Sequence, residues 1–270
     1  MRLVTTRGEH DQRIAVVGDN TIDRYADASI AGGNALNVAA QLALAGESAG
    51  YWGAVGTDTL ADLIRDAVRG AGLTTDGVVT LNGATAVTDI TIRPDGERVF
   101  EREEFGVTAE FFPSEDQLDA IAGCAWVHIG MLPRASDLRA AIRARNRWAT
   151  ISQDMSVSSG LDDLDVAFNS GAMLDVDGIS PGEVMRHQLL SGISASVVTL
   201  GADGAIGTNA GQVRFEPAQS IDIVDATGAG DSFIAGFIAA SIGGAPLADA
   251  LSLGTRFAAA TCGHRGGWPQ

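Results

Sequence analysis

Short apolar, β-branched-rich runs recur along the chain at 13–18, 51–55, 125–129, 150–154, 173–179 and 197–200. Such runs fit strands buried on both faces. Between them lie segments of helical period at 35–45, 59–71, 114–122, 136–147, 182–190, 231–242 and 247–261. The alternation predicts an α/β fold, a three-layer sandwich whose mostly parallel central sheet carries helices on both faces. The rhythm breaks at 85–103, where alternating β-formers flank Pro94-Asp95-Gly96, a turn sequence. A β-hairpin inserted at about 83–105 is expected, either an edge hairpin or a lid over a site. A second hairpin is expected at 205–215, and the chain reads as one domain over 1–270.

Of the 270 residues 46% are hydrophobic and 19% charged, a balance that supports a packed core. The formal charge of −16 opposes nucleic acid and anionic membranes as partners. All 18 basic residues are arginine. Without lysine, a P-loop, a protein-kinase site and a pyridoxal Schiff base are excluded. Phosphate would have to be held by arginine, by a metal ion or by backbone N–H groups at a helix start. Cys124 and Cys262 form no Cys-x-x-Cys pair, and His10, His128, His187 and His264 are not at metal-ligand spacing. A reducing, cytoplasmic setting is expected, with neither secretion signal nor membrane span.

The most informative string is Asp225-Ala226-Thr227-Gly228-Ala229-Gly230-Asp231-Ser232-Phe233, between a β-run at 221–224 and an apolar helix. A small-residue turn that opens a helix aims several N–H groups outward at the positive end of the helix dipole, which makes an anion hole. Asp231 in the first turn could take a proton from a hydroxyl beside it. The plainer alternative is a helix cap after a glycine turn. Nearer the start, Gly18-Asp19-Asn20-Thr21-Ile22-Asp23 precedes Gly32-Gly33-Asn34-Ala35-Leu36-Asn37. Polar groups past a strand's carboxyl end suit a polyol, though aspartate, asparagine and paired glycines also make ordinary turns.

Together these two strings resemble the C-terminal and N-terminal signatures of the PfkB, or ribokinase-like, carbohydrate kinases. The resemblance runs from Arg13 to Gly267. It implies transfer of the ATP γ-phosphoryl group to a primary hydroxyl of a sugar, with Asp231 as base and Gly228, Ala229 and Gly230 as anion hole. Asp23, Gly32, Gly33, Asn34 and Asn37 would hold the sugar. Thr199, Gly201, Asp203 and Gly204, with Thr227, Thr255 and Ala258, would hold the nucleotide. Mg2+ would lie near Glu183. Asp225, with carbonyls near Thr261, His264 and Gly266, matches the place of a monovalent cation such as K+ in some members. Where the family usually has Asn-x-x-Glu, this chain has Ser180-Pro181-Gly182-Glu183, which shortens the reach toward the metal. Eight residues between Asp23 and Gly32 predict a lid reduced to the hairpin alone.

Within the family, the Gly-Asp-Asn-x-x-Asp start and the His-Arg-Gly-Gly-Trp end look most like the fructoselysine 6-kinase subfamily. The acceptor would be a small sugar or sugar-amine adduct. Fructose, ribose, a ketodeoxy acid or a nucleoside are alternatives, and a sugar-binding regulatory module is an alternative of another class. Lid pairing in the family makes a homodimer an expectation.

Gly178-Ile179-Ser180-Pro181-Gly182 also matches the Gly-x-Ser-x-Gly turn of serine hydrolases, with His264 downstream. Pro181 lacks the N–H which that oxyanion hole requires. Arg139, Arg143 and Arg147 read as one solvated helix face. Arg102, and Arg98 beside it, could serve the lid by meeting substrate charge, or could simply guard an edge strand.

Overall fold

The computed structural model describes residues 13–92 and 98–270. Thirteen strands follow in order: β1 (Ile14–Val17), β2 (Thr21–Arg24), β3 (Ser29–Gly32), β4 (Ala49–Val55), β5 (Val78–Thr80), β6 (Val87–Ile92), β7 (Arg98–Glu104), β8 (Trp126–Ile129), β9 (Thr150–Asp154), β10 (Val166–Ser170), β11 (Ala195–Thr199), β12 (Ala205–Asn209) and β13 (Gln212–Glu216). The helices are α1 (Asn34–Leu44), α2 (Leu60–Gly70), α3 (Glu115–Ala122), α4 (Ala135–Arg145), α5 (Gly171–Asp177), α6 (Pro181–Leu190), α7 (Ala229–Ile242) and α8 (Leu247–Thr261).

Nine strands make the main sheet in the order β13-β12-β11-β10-β9-β8-β1-β4-β5. From β11 to β5 every pairing is parallel, and β12 and β13 add an antiparallel edge. Strand β1 shows how the layers form. Ile14 and Val16 enter the core shared with Leu36, Phe237 and Leu251, while Ala15 and Val17 enter the core shared with Leu118, Leu138 and Ile142. Alternate side chains of one strand thus anchor opposite helical layers. This is the ribokinase-like α/β sandwich the resemblance implied.

Four segments depart from expectation. Residues 173–179 are not a strand: the strand is β10, and 171–177 form α5, whose Met173 and Val176 are 52% and 82% exposed. The apolar spacing there is three residues, a helical stagger that a short window reads as a run. Residues 221–224 form no strand either, and Ile221, Ile223 and Val224 all lie open.

The lid is larger than a hairpin. Strands β2 and β3 pair antiparallel across the Tyr25–Ala28 turn, and β2 pairs with β6, so a second sheet runs β3-β2-β6-β7. The eight-residue gap therefore holds the turn and most of the return strand of a tight hairpin. Its Thr-Ile-Asp-Arg strand is too short and polar to declare itself by composition. The Pro94-Asp95-Gly96 turn lies outside the described residues.

The arginine face is also corrected. Arg139 is fully buried, donating through Nε to the Asp162 carbonyl at 2.7 Å and bonding Gln153. Arg143 is half-buried against Asp165 at 2.8 Å, and Arg147 lies beyond the end of α4.

Candidate active site

A cleft of about 970 Å³ opens where β1, β8, β9, β10 and β11 end, beneath the four-stranded lid. Ligands in open parallel sheets bind at this carboxyl edge. Six carboxylates line it, those of Asp19, Asp23, Glu103, Glu104, Asp154 and Asp231, and no arginine or histidine does among the described residues.

Asp231 stands in the first turn of α7. Asn34 Nδ2 donates to its Oδ1 at 2.7 Å and Asn37 Nδ2 to its Oδ2 at 2.6 Å. The two asparagines lie three residues apart on α1, hence on one face, and they fix the carboxylate from the opposite wall. The structure thus brings the two distant sequence strings to a single carboxylate.

The glycines of the turn do different work. Gly228 has φ +74°, and a Cβ there would sit 2.5 Å from Gly267 Cα. Only glycine lets the chain turn into α7 at that approach. Gly230 has nothing within 4 Å of where its Cβ would be and lines the cleft. The opening of α7 therefore presents main chain to the cleft; the Ala229 N–H reaches back to the Ala226 carbonyl at 3.2 Å, and the other first-turn N–H groups have no partner within their own helix. An anion held by backbone amides fits this space.

At the other end, Asp23 is 4% exposed and lines the cleft. Gly32 faces it across the β2–β3 pair, where any Cβ would collide with the Asp23 carboxylate. Gly33 has φ +109° and packs against Asn20 so closely that a Cβ would sit 2.5 Å from its Cα. Gly32 is thus a clearance for Asp23, and Gly33 a close contact at the start of α1. Arg102 is not in the cleft lining; it is exposed and paired with Glu104. Nothing is described of the Arg98 side chain.

Thr199, Gly201, Gly204, Thr227, Thr255 and Ala258 all line the remaining part, with Ala259 and Ile223 beside them. This end is walled by small and apolar side chains, a slot that fits a flat base and ribose. Asp203 is exposed and outside it.

Glu183 and Asp225 do not line the cleft. Ser180 caps α6, and Glu183 folds back onto the Ser180 amide and hydroxyl at 3.0 and 2.6 Å. Those bonds hold the exposed Glu183 carboxyl below the usual range. Ser180 is therefore an exposed cap, outside the cleft, and the hydrolase alternative has no pocket. Asp225 is fully buried and bonded to Thr227, Gly266 and Tyr25. Among the described residues no three acidic, histidine or cysteine side chains gather in a metal cage. Glu183 is tied through Oε2 to the α6 cap and the Asp225 carboxylate is fully bonded, so within the cleft a metal would depend on phosphate oxygens and water.

Two cleft residues escaped the sequence reading. Asp19 accepts from the Asn34 and Ala35 amides at 2.8 and 2.9 Å, capping α1 from a neighbouring strand end, and burial pushes its carboxyl up to about 6 against those bonds. Asp154 accepts from Asn34 Nδ2 at 2.8 Å and from the Ser156 amide at 2.8 Å, and burial raises it too. Both stand at the carboxyl ends of parallel strands, β1 and β9, which is the one signal that could have marked them.

The pfkB family carbohydrate kinase model matches residues 12–159 and 173–268. The chain is 30% identical over 266 residues to fructoselysine 6-kinase of Escherichia coli, covering 94% of this chain and 99% of that one. It is 28% identical over 263 residues to fructosamine kinase FrlD of Bacillus subtilis, covering 94% and 92%. Arabidopsis thaliana ribokinase, solved with ribose and ATP, superposes with a TM-score of 0.82 at 20% identity, covering 95% and 94%. A cleft with a clamped aspartate at a glycine-lined helix start, on this fold and with these relatives, places the chain in the pfkB family as a carbohydrate kinase.

Proposed function

We propose that the protein transfers a phosphoryl group from ATP to a primary hydroxyl of a small sugar derivative, with a fructosamine such as fructoselysine as the preferred acceptor. The observation that carries this reading is the Asn34–Asp231–Asn37 clamp at the mouth of α7. Asp231 accepts the acceptor's hydroxyl proton as the oxygen attacks. The amides of Gly228 and Gly230 steady negative charge developing beside it, joined by that of Ala229 as it turns from the Ala226 carbonyl. Asp23, Asn34, Asn37 and Asp154 orient the acceptor, and the two asparagines also fix the base. Thr255, Ala258, Gly201 and Gly204 hold the nucleotide, which supplies the phosphoryl group. Mg2+ travels with the phosphates, and no step is assigned to a protein-held metal.

The fructosamine preference is supported by the two fructosamine-kinase relatives and by a cleft that, among the described residues, is lined with acids and no bases, which favours an ammonium-bearing acceptor over one carrying phosphate or carboxylate. The test is a phosphorylation screen over fructoselysine, fructose, ribose, ketodeoxygluconate and a nucleoside, read by product mass. Fructoselysine should give the highest kcat/KM. A neutral or anionic sugar outperforming it would overturn the preference, and failure of every acceptor would overturn the kinase reading.

A further inference from the structure

Asp225 lies below the anion-hole turn, and four donors reach its carboxylate. Thr227 N and Thr227 Oγ1 donate to Oδ1 at 2.8 and 2.6 Å, while Gly266 N and the Tyr25 hydroxyl donate to Oδ2 at 3.0 and 3.1 Å. An ionised carboxylate offers about four lone-pair positions, so the shell is full. Burial pushes the Asp225 carboxyl up, and these bonds outweigh it, leaving the group ionised below the usual range.

The donors come from three separate parts of the chain. Thr227 belongs to the turn that leads into Gly228, Gly266 to the C-terminal loop, and Tyr25 to the β2–β3 turn of the lid, 200 residues from Asp225. Tyr25 also approaches Thr227 Oγ1 at 3.4 Å. Its ring is backed by Arg265, whose guanidinium lies 6.0 Å from the ring centroid and pairs with Asp27 at 2.7 and 2.8 Å.

We propose that Tyr25 is a positioning residue for phosphoryl transfer: its hydroxyl completes the Asp225 shell, sets the Asp225–Gly228 turn, and leaves the carboxylate no lone pair for a monovalent cation. The place that the family resemblance implied for a cation such as K+ is therefore closed to one in this chain. Thr227 is held to Asp225 through both its amide and its hydroxyl, so the orientation of Asp225 governs where the following amides point. Asp23, two residues before Tyr25, lines the acceptor end of the cleft. The strand between them joins acceptor binding to the anion hole. The inference rests on the kinase reading for its catalytic part and on the bonding of Asp225 for its cation part.

The experiment compares the full chain with Tyr25→Phe, each with and without potassium in a tetramethylammonium buffer. It measures ATP affinity by calorimetry and steady-state rates on the best acceptor. The unaltered protein should change by less than about twofold in affinity and kcat on adding potassium. Tyr25→Phe should lose about tenfold in kcat with acceptor KM within about twofold and with its Tm retained. A several-fold gain by the unaltered protein with potassium overturns the proposal, as does a variant with unchanged kcat. Should the variant fail to fold, the potassium series on the unaltered protein still decides. Should no acceptor react, the kinase reading falls, while ATP calorimetry with potassium still tests the saturated shell.

Discussion

Asn34 donates one amide hydrogen to Asp231 at 2.7 Å and the other to Asp154 at 2.8 Å, so one neutral side chain separates two carboxylates from distant parts of the chain. Asn34 thereby sets the distance between Asp231, the proposed base, and Asp154 on the cleft wall. Asn37 completes the arrangement on the far oxygen of Asp231.

Asp231→Asn should leave ATP and acceptor dissociation constants within a few-fold while kcat falls by about 10²- to 10⁴-fold, the usual cost of losing a general base. Calorimetry and single-turnover rates check both halves. A variant that turns over normally would remove Asp231 from the role given to it.

Gly228 and Gly230 should respond in opposite ways to alanine. Gly230→Ala meets no neighbour and sits in the first turn of a helix, so stability should hold or rise by up to about 1 kcal/mol. Its new methyl would occupy the cradle, and ATP affinity should fall at least about tenfold. Gly228→Ala adds a clash with Gly267 to a left-handed backbone and should cost at least about 1–2 kcal/mol in urea denaturation. Nucleotide binding that survives in Gly230→Ala would argue against anion capture at this turn.

Arg139 answers the Asp162 carbonyl and the buried Gln153 side chain, one residue before Asp154. Arg139→Leu should destabilise the fold by about 2–4 kcal/mol because those acceptors lose their donor. Acceptor KM should rise as well, through the displaced 155–162 loop. Chemical denaturation alongside KM measures the two effects, and an unaltered midpoint would return Arg139 to the surface role first read for it.

His128 is fully buried, bonded through Nδ1 to Ser152 at 3.0 Å, and burial lowers its pKa to about 3. The unfolded chain takes up that proton near pH 6.5 and the folded chain only near 3, so His128 removes stability as pH falls through this window, by about 1.4 kcal/mol per unit. Asp19 acts oppositely. Raised to about 6, its stabilising contribution is present below its unfolded value of 3.8 and is lost as pH rises through 6. Between roughly pH 4 and 6 the two slopes oppose each other. His128→Leu should therefore gain stability relative to the parent as pH falls from 6 to 4 in urea titrations. Parallel pH profiles for the two proteins would contradict this.

The central sandwich was legible because β1, β4, β8 and β11 are apolar runs with helices between them, and burial on both faces writes itself into composition. The site strings were legible because the two together resemble a pair of family signatures, whereas a lone Gly-x-Gly reads as an ordinary helix cap. What escaped depended on partners far along the chain. The Arg139 face reads as solvated until the loop at 159–162 closes over it, and Tyr25 has no local feature linking it to Asp225. Strands β2 and β3 of the lid are four residues each, and only their pairing with one another and with β6 makes them strands. Isolated capping chemistry likewise hid the real use of Ser180 and Glu183, which serve α6 and not the cleft.

The acidic enclosure around the acceptor has an effect on what leaves it. In the proposed reaction an acceptor enters neutral or cationic and departs bearing a new dianionic ester among six carboxylates, with no guanidinium among the described residues of the wall to retain it. Mutual repulsion should hasten departure and make inhibition by accumulated sugar phosphate weak, with added salt blunting the difference between acceptor and product affinities.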